Sequence, residues 1–533
     1  LTNQILAAAE PMLLGFRTPV SCPRRPPHDV GALYQLVAER NCRCDDAPQY
    51  GAVGRGAVGC GAGGYDAAWS DILEPGSGLW FTSGPLHFVS TRQCEPPRPA
   101  HEAILDRWAR VAATFALFAA FETSPARGDD WSGLVGQLSK AGITPTLTYE
   151  GDGAANVAGG ERRGTTYADD THLRLRLDGD RLIGVPGLSA YVDGMWIGGG
   201  QPSKLVGDAQ GVSSLAEPSA LWLYEAWLQY DIPNTGFSIL AGRYDINSEF
   251  YRLSSADLFL NSSFGIGPEF GLSGFNGPSI YPDTSLGVRL AYKPGPNTVL
   301  RGAVLDGAPL NQQNGSPNPF NPHDGVLMVA EAAWLTRPAV ADGSSEPQLL
   351  IGRRSSRLSY DDKIAVGAWY YTARFDGFGP ATQGGATQGG RPSQHHGEGG
   401  AYLLLDRLLF QSATDPAWRV TGFVQLGLAN PVVDRFGAYI GAGMVMSGLI
   451  PGRPRDKFGL AVAMARNGSS YIDAQQQAGL SVDAAETAIE LSYLAPITSR
   501  FALQPDIQYV VNPNTDPRLR NATVGQLRFE LKF

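Results

Sequence analysis

Charged or aromatic residues recur along this chain in pairs two positions apart: Arg174 with Arg176, Glu225 with Trp227, and Arg243 with Asp245. A spacing of two sets both members of a pair on one face of a β-strand. Glu249 and Arg252 follow soon after the third pair. None of these groups is a nucleophile beside a base. The chemistry they offer is reversible: guanidinium and carboxylate groups that bond hydroxyls, and an indole face that stacks on apolar CH surfaces. His172 is in phase with Arg174 and Arg176. A solvated wall histidine is its expected role, and a pH-sensitive charge is the sharper alternative.

Other chemistries are poorly supplied. Cys42-Arg43-Cys44 lacks the second ligand pair that a zinc site needs, with only lone His28 and His87 nearby, so no metal is expected. His395 and His396 are adjacent in a Gly-rich stretch read as loop, which does not define a metal site. Neither a Walker-type phosphate loop nor a dinucleotide fingerprint is present, so no cofactor is expected. A net charge of −9 argues against nucleic acid as partner, because phosphate neutralisation needs concentrated Lys and Arg. After residue 126 only His172, His323, His395 and His396 remain. The pattern places no Ser/His pair on a lipid-facing strand, so an outer-membrane enzyme is a remote alternative.

The elements that must position these pairs are strands. In Thr171 to Asp178, Leu173, Leu175 and Leu177 alternate with His172, Arg174, Arg176 and Asp178, so one face prefers lipid and the other water. Leu221 to Tyr230 reads with Trp222, Tyr224, Ala226, Leu228 and Tyr230 outward and Glu225, Trp227 and Gln229 inward. Phe237 to Ile246 reads with Leu240, Tyr244 and Ile246 outward and Arg243 and Asp245 inward. Further segments fall at 144–150, 188–197, 284–293, 297–305, 326–336, 363–374, 399–408, 418–428, 436–446, 457–465, 484–493, 500–511 and 521–533, which makes sixteen. Their lengths suit tilted membrane-crossing strands, and an even number suits a closed antiparallel barrel.

Connections mostly alternate between long (151–170, 198–220, 247–283, 306–325) and short (179–187, 231–236, 294–296), as in outer-membrane barrels. The stretch 337–362 breaks the rule: either the strand count is off there or an insertion occupies that turn. Tyr230, Tyr244, Tyr292, Trp418, Tyr493 and Tyr509 mark segment ends, where an interfacial girdle would place them. The last segment alternates to a terminal Phe533, which looks like the barrel-assembly signal of bacterial outer-membrane proteins.

The first part of the chain reads differently. All five cysteines lie within the first 94 residues. Residues 1–100 open on Leu and mix Pro, Gly, Arg and Cys without periodicity, so they read as a disordered upstream extension without function. Val111 to Phe121 is apolar except for Thr114; Arg107 and Arg110 precede it and Ser124-Pro125-Ala126 follows. This is the pattern of a signal peptide over 101–126, with a buried helix of a soluble domain as the plainer alternative. A short amphipathic periplasmic segment over 127–143 and a barrel over 144–533 complete the expected organisation.

Four stretches then carry a resemblance. They are Asp130-Trp131-Ser132-Gly133-Leu134 through Ala141-Gly142-Ile143; Leu240-Ala241-Gly242-Arg243-Tyr244-Asp245 with Phe259-Leu260-Asn261-Ser262-Ser263-Phe264; Val366-Gly367-Ala368-Trp369-Tyr370-Tyr371; and Leu503-Gln504-Pro505-Asp506-Ile507-Gln508-Tyr509-Val510 with Asn512-Pro513. In this order, across about residues 130–533, the chain resembles the OprB-like carbohydrate-selective porins. The resemblance implies an all-β fold: a transmembrane antiparallel β-barrel of about sixteen strands with a short N-terminal periplasmic helix. It also implies a Gram-negative outer-membrane channel through which glucose and related sugars diffuse into the periplasm. The sequence departs from the family in 337–362 and in the Gly/Gln repeat 381–390.

A passive channel has its site in its lining. The loop 247–283 is expected to fold inward and narrow the pore, with Asp245, Glu249 and Arg252 at its root opposite Arg174 and Arg176. The predicted pore-lining, solute-binding set is Arg174, Arg176, Glu225, Trp227, Arg243, Asp245, Glu249 and Arg252. For each, the plainer alternative is solvated wall or half of a wall salt bridge, and a register slip would return Trp227 to the girdle. Expected contacts are sugars as solutes, outer-membrane lipid, the barrel-assembly machinery and, optionally, further copies in a homo-oligomer. A general, anion- or sugar-acid-preferring porin is the alternative within transport. A structural barrel is a more remote one.

Overall fold

The computed structural model describes residues 125–309, 319–336, 360–378 and 393–533. The readings of 1–100, of the Val111–Phe121 run and of the 381–390 repeat lie outside the described residues. A helix, α1 (Pro125–Lys140), leads into the first strand. No described helix is long and apolar enough to cross a membrane.

The strands are β1 (Ile143–Ala158), β2 (Gly164–Asp178), β3 (Leu188–Gly198), β4 (Ala220–Asp231), β5 (Phe237–Tyr244), β6 (Ser285–Gly295), β7 (Thr298–Asp306), β8 (Val326–Thr336), β9 (Asp362–Asp376), β10 (Gln394–Gln411), β11 (Arg419–Ala429), β12 (Phe436–Ser447), β13 (Lys457–Asn467), β14 (Ala485–Pro496), β15 (Phe501–Val511) and β16 (Ala522–Lys532). Each pairs antiparallel with its sequence neighbours, and β16 returns to β1, closing the barrel. Closure gives every strand two partners, so no sheet edge is left unpaired, as a membrane-spanning sheet requires. The sixteen expected segments are thus sixteen strands, and the connection between Thr336 and Tyr360 lies outside the described residues. Phe533 follows β16, its N–H donating to Leu147 O at 2.9 Å.

The alternation in β2 is as expected. Leu173 and Leu175 are exposed on the outer face, His172 and Arg174 lie inside, and the outer surface continues through Val192, Leu228, Val288, Leu460 and Leu527. Apolar side chains open to the surroundings on the outer wall of a closed barrel are what lipid requires.

Several expectations need correction. The supposed long loop 151–170 is mostly strand: β1 and β2 extend as a hairpin and leave only 159–163 as connection. The polar residues that made it look like loop are lumen-facing wall, with Asp152 buried against Arg528 at 3.0 Å. In β4, Trp222 and Tyr224 face inward rather than outward. A bulge puts Asp193 opposite Glu225 but Gly194 opposite Leu223, leaving Tyr224 unopposed. One extra residue reverses the faces on its far side, so Leu221 and Leu223 are exposed on the outer face there while Tyr224 is buried.

In β5 the whole parity is reversed. Phe237 and Ile239 are the exposed outer residues, and Leu240 and Tyr244, expected outside, are buried inside. The strand has apolar residues on both faces because its inner face is covered by protein, so alternation alone could not choose between them. His395 and His396 stand at the start of β10, paired opposite Phe375 and Arg374, rather than in a loop.

Two connections fold into the lumen. Residues 245–284, between β5 and β6, carry three short 3-10 turns and α4 (Pro268–Gly271), numbered after α2 (Gly179–Ile183) and α3 (Ser203–Val206). Phe250, Tyr251, Phe259, Phe264 and Phe270 of this loop are buried in one cluster with Trp369, Tyr402, Phe423 and Tyr439 of the wall. The inner face of β13 is Gly459, Ala461, Ala463 and Ala465, all buried. A Cβ on Gly459 would come within 2.6 Å of Leu258 and 2.7 Å of Phe259. Small residues there let the loop lie flat on that wall. Residues 199–219, between β3 and β4, also fold in: Val212 O accepts from Gln508 Nε2 at 2.7 Å and Gln526 Nε2 at 2.8 Å.

Candidate functional site: the lumen cavity

Loop 245–284 is held chiefly by wall side chains that bond its backbone. Glu331 of β8 accepts from Tyr251 N at 3.0 Å, Asp406 of β10 from Ser255 N at 3.1 Å, and Glu398 from Gly274 N at 2.9 Å. Glu490 of β14 accepts from Leu260 N at 2.5 Å and Asn261 N at 3.0 Å. Gln425, Tyr439 and Gln504 donate to the carbonyls of Phe264, Ser263 and Leu258. Glu486 serves the other infolded loop in the same way, accepting from Ala209 N and Gln210 N. Backbone groups removed from water need partners, and the wall carboxylates supply them. The sequence pattern assigns lumen charges to solute, solvent or wall salt bridges, not to the backbone of a loop. Its missed signal was the small, apolar inner face of β13, which a water-filled lumen would not call for.

The carboxyl groups on the loops have the electrostatics of buried sites. Burial pushes Glu269, on α4, up to about 7, against the hydrogen bond that Tyr251 donates to it at 2.8 Å. Asp434, between β11 and β12, is pushed up to about 10 by burial and by the neighbouring Glu398. Both shifts arise because a charge in a poorly solvated site is disfavoured.

The loops leave a cavity of about 570 Å³ against the other side of the barrel, lined by β1 to β9, β16 and the loop root. Eight Arg or Lys and six Asp or Glu side chains line it. Of the predicted set, Arg174, Arg176, Glu225, Trp227, Glu249 and Arg252 come together there. Arg243 and Asp245 do not. Arg243 shares the outer side of the ladder with Ala226 and Ala241 because of the β5 parity reversal, and its Nε donates to Thr284 Oγ1 at 2.7 Å. Asp245 is buried at the loop root, accepting from Asn247 N at 2.6 Å and from the Tyr224 hydroxyl.

Two rows run across the wall. Glu225 and Asp193 are ladder partners, and Asp193 pairs with Arg174. Arg174 donates to Asp193 at 3.1 Å and to Thr148 at 2.9 Å. His172 is not a solvated wall residue: it is buried, with Nδ1 2.9 Å from Asp193 and Nε2 3.5 Å from Asp170. In the second row Arg176 pairs with Tyr191 and Tyr191 with Trp227. The Tyr191 and Trp227 rings stack, centroids 5.1 Å apart at 27°.

Glu249 is engaged by the wall. Arg289 bridges both of its oxygens at 2.8 and 3.2 Å, and the Tyr244 hydroxyl donates to it at 2.7 Å. Arg252 donates to Asp257 at 2.8 Å, and its carbonyl accepts from Lys363 at 2.8 Å. Lys363 and Arg301 flank Glu331 at 3.4 and 3.2 Å. Tyr191 and Arg289 were absent from the predicted set. The same period of two, counted from the outward-facing Val192, Val288 and Leu290, points both of them inward. Among the described residues, no group of three or more His, Cys, Asp or Glu side chains is arranged to hold a metal ion.

Comparison with known proteins agrees with this architecture. Porin B of Pseudomonas aeruginosa is 22% identical over 433 residues, covering 76% of this chain and 90% of that protein. The structure of Pseudomonas putida OprB solved at high pH aligns with a TM-score of 0.64 at 19% identity, over 76% of this chain and 97% of that one; the low-pH structure gives 0.46 at 15% identity over the same shares. The first of these alignments supports the fold. The profile described as carbohydrate-selective porin, OprB family, matches residues 162–533, well over half of the sequence. A barrel of sixteen strands with an infolded loop and a polar, aromatic-bearing cavity, matched by that profile along nearly all of its strands, belongs to the carbohydrate-selective porin family OprB.

Proposed function

We propose that the protein is a passive channel of a Gram-negative outer membrane, through which sugars of glucose size move down their gradient into the periplasm. The observation that carries this reading is the make-up of the cavity lining, where the stacked Tyr191 and Trp227 rings stand beside the guanidinium and carboxylate groups of Arg174, Asp193 and Glu225. A pyranose has apolar CH faces and a rim of hydroxyls. The first match an aromatic surface, and the second match charged donors and acceptors. Diffusion past such a lining needs no catalytic group, so no enzymatic activity is proposed. Membership of a carbohydrate-selective family supports the same reading. The apolar outer wall would be solvated by lipid, and Phe533 would end the strand that the barrel-assembly machinery recognises.

The test is the single-channel current of the full chain refolded into a planar bilayer, with glucose titrated in. Saturable block is expected. Trp227→Ala should raise the half-blocking concentration by about fivefold, since an aromatic contact contributes roughly 1 kcal/mol beyond area burial. A channel that conducts well but ignores glucose at all concentrations would exclude this function.

A further inference from the structure

We propose that Arg176 and the stacked Tyr191 and Trp227 rings form a subsite for a carboxylated pyranose, a hexuronate. The inference rests on the sugar-channel reading and narrows its substrate class.

The other arginines around the cavity are committed. Arg174 is held by Asp193, Arg289 by Glu249, Arg301 by Glu331 and Arg252 by Asp257. Arg176 has no ion pair or hydrogen bond among the described residues, although it stands on the inner face of β2 and lines the cavity. It is exposed to the lumen. Its fork of N–H donors is therefore available to a solute. A planar guanidinium favours a carboxylate, which it can grip through two parallel bonds, over a hydroxyl.

Position supplies the second argument. Arg176 is the direct ladder partner of Tyr191, and Tyr191 that of Trp227. Neighbouring strands lie roughly 4.8 Å apart. A pyranose ring seated over the ring pair thus brings its exocyclic carbon within one strand spacing of the guanidinium. In glucose that carbon carries a hydroxyl and in glucuronate it is itself the carboxylate carbon, so the two sugars share the ring contact and differ in the contact with Arg176.

The experiment compares glucose and glucuronate as blockers of single-channel current at pH 7 and constant ionic strength, with full-length protein and the variants Arg176→Gln and Arg176→Lys. In the parent, glucuronate should half-block at about a fivefold lower concentration than glucose, the size of one partly solvated charge-assisted contact. Arg176→Gln should bring glucuronate to the glucose value and barely move the chloride-to-potassium selectivity. Arg176→Lys should retain part of the preference, because the charge remains and the fork is lost.

Block by glucose with no preference for glucuronate would overturn the subsite and leave the sugar channel standing. Equal losses of glucuronate preference and chloride selectivity in Arg176→Gln would show a diffuse field instead of a site, and overturn it too. Absence of block by either sugar would remove both readings.

Discussion

Glu331 ties the infolded loop to the wall, and its removal should be visible in the current. Its carboxylate accepts from Tyr251 N at 3.0 Å and Tyr402 Oη at 3.0 Å, and lies 3.2 Å from Arg301 and 3.4 Å from Lys363. Glu331→Ala strips the loop of one anchor and leaves two cations, with side chains only 9% and 6% exposed, without that counter-charge. Breaking a buried ion pair costs roughly 3–5 kcal/mol. Both cations line the cavity, where hydration recovers part of this, so the low end, about 3 kcal/mol, applies. At about tenfold per 1.4 kcal/mol, the stretch around Tyr251 would spend about a hundredfold more time off the wall. The sixteen-strand ladder is untouched, so the barrel should still form. Single-channel recording should then show a larger mean conductance and greater open-channel noise. Glu331→Gln keeps an acceptor for Tyr251 N and Tyr402 Oη but loses the charge, and should fall between the two. A Glu331→Ala channel of folded electrophoretic mobility, with the conductance and noise of the parent, would refute the idea that this carboxylate holds the loop.

Two further outcomes follow from the same loop. Glu269 has its carboxyl raised by burial to about 7 from an ordinary value of 4.5, so between these values the folded loop binds more protons than the free one. Its contribution to loop docking is fully present below about pH 4.5, falls as pH rises and is lost above about 7. Open-channel noise should therefore rise from pH 5 to pH 8 and lose this dependence in Glu269→Gln; an identical pH profile in the variant would count against the assignment. Gly459→Val should push Leu258 and Phe259 off the β13 wall towards the cavity, at a cost of roughly 1–3 kcal/mol for overpacking, and lower the conductance, with Gly459→Ala milder. Unchanged conductance in both would show that the loop does not rest on that face.

The barrel was legible in the sequence wherever an apolar outer face alternates with a polar inner one. In β2, Leu173 and Leu175 against Arg174 and Arg176 leave no choice of parity. Where the inner face meets the loop, both faces are apolar and the signal fails: Leu240 and Tyr244 of β5 looked like lipid-facing residues, and the error carried Arg243 to the wrong side. The bulge at Tyr224 leaves no mark in the alternation before it and reverses only the first residues of β4, so Glu225 and Trp227 were placed correctly while Trp222 was not. Asp152 and Asn156 resembled loop residues because their partners, Arg528 and the carbonyl of Leu205, lie elsewhere in the chain. Pairings between distant segments were the part that a local pattern could not supply. They decide which lumen charges are free to meet a solute.

The way the wall holds the loop also bears on how such a channel can change. Glu331, Asp406, Glu398 and Glu490 grip amide N–H groups, which every residue except proline possesses. The path of the loop is thus written in its main chain. Many of its side chains can be exchanged without loosening those bonds, provided the Phe and Tyr cluster beneath stays filled. A wall of this kind works as a socket that accepts loops of differing side-chain character, so the filter can be retuned from one solute to another while the barrel around it keeps its own sequence.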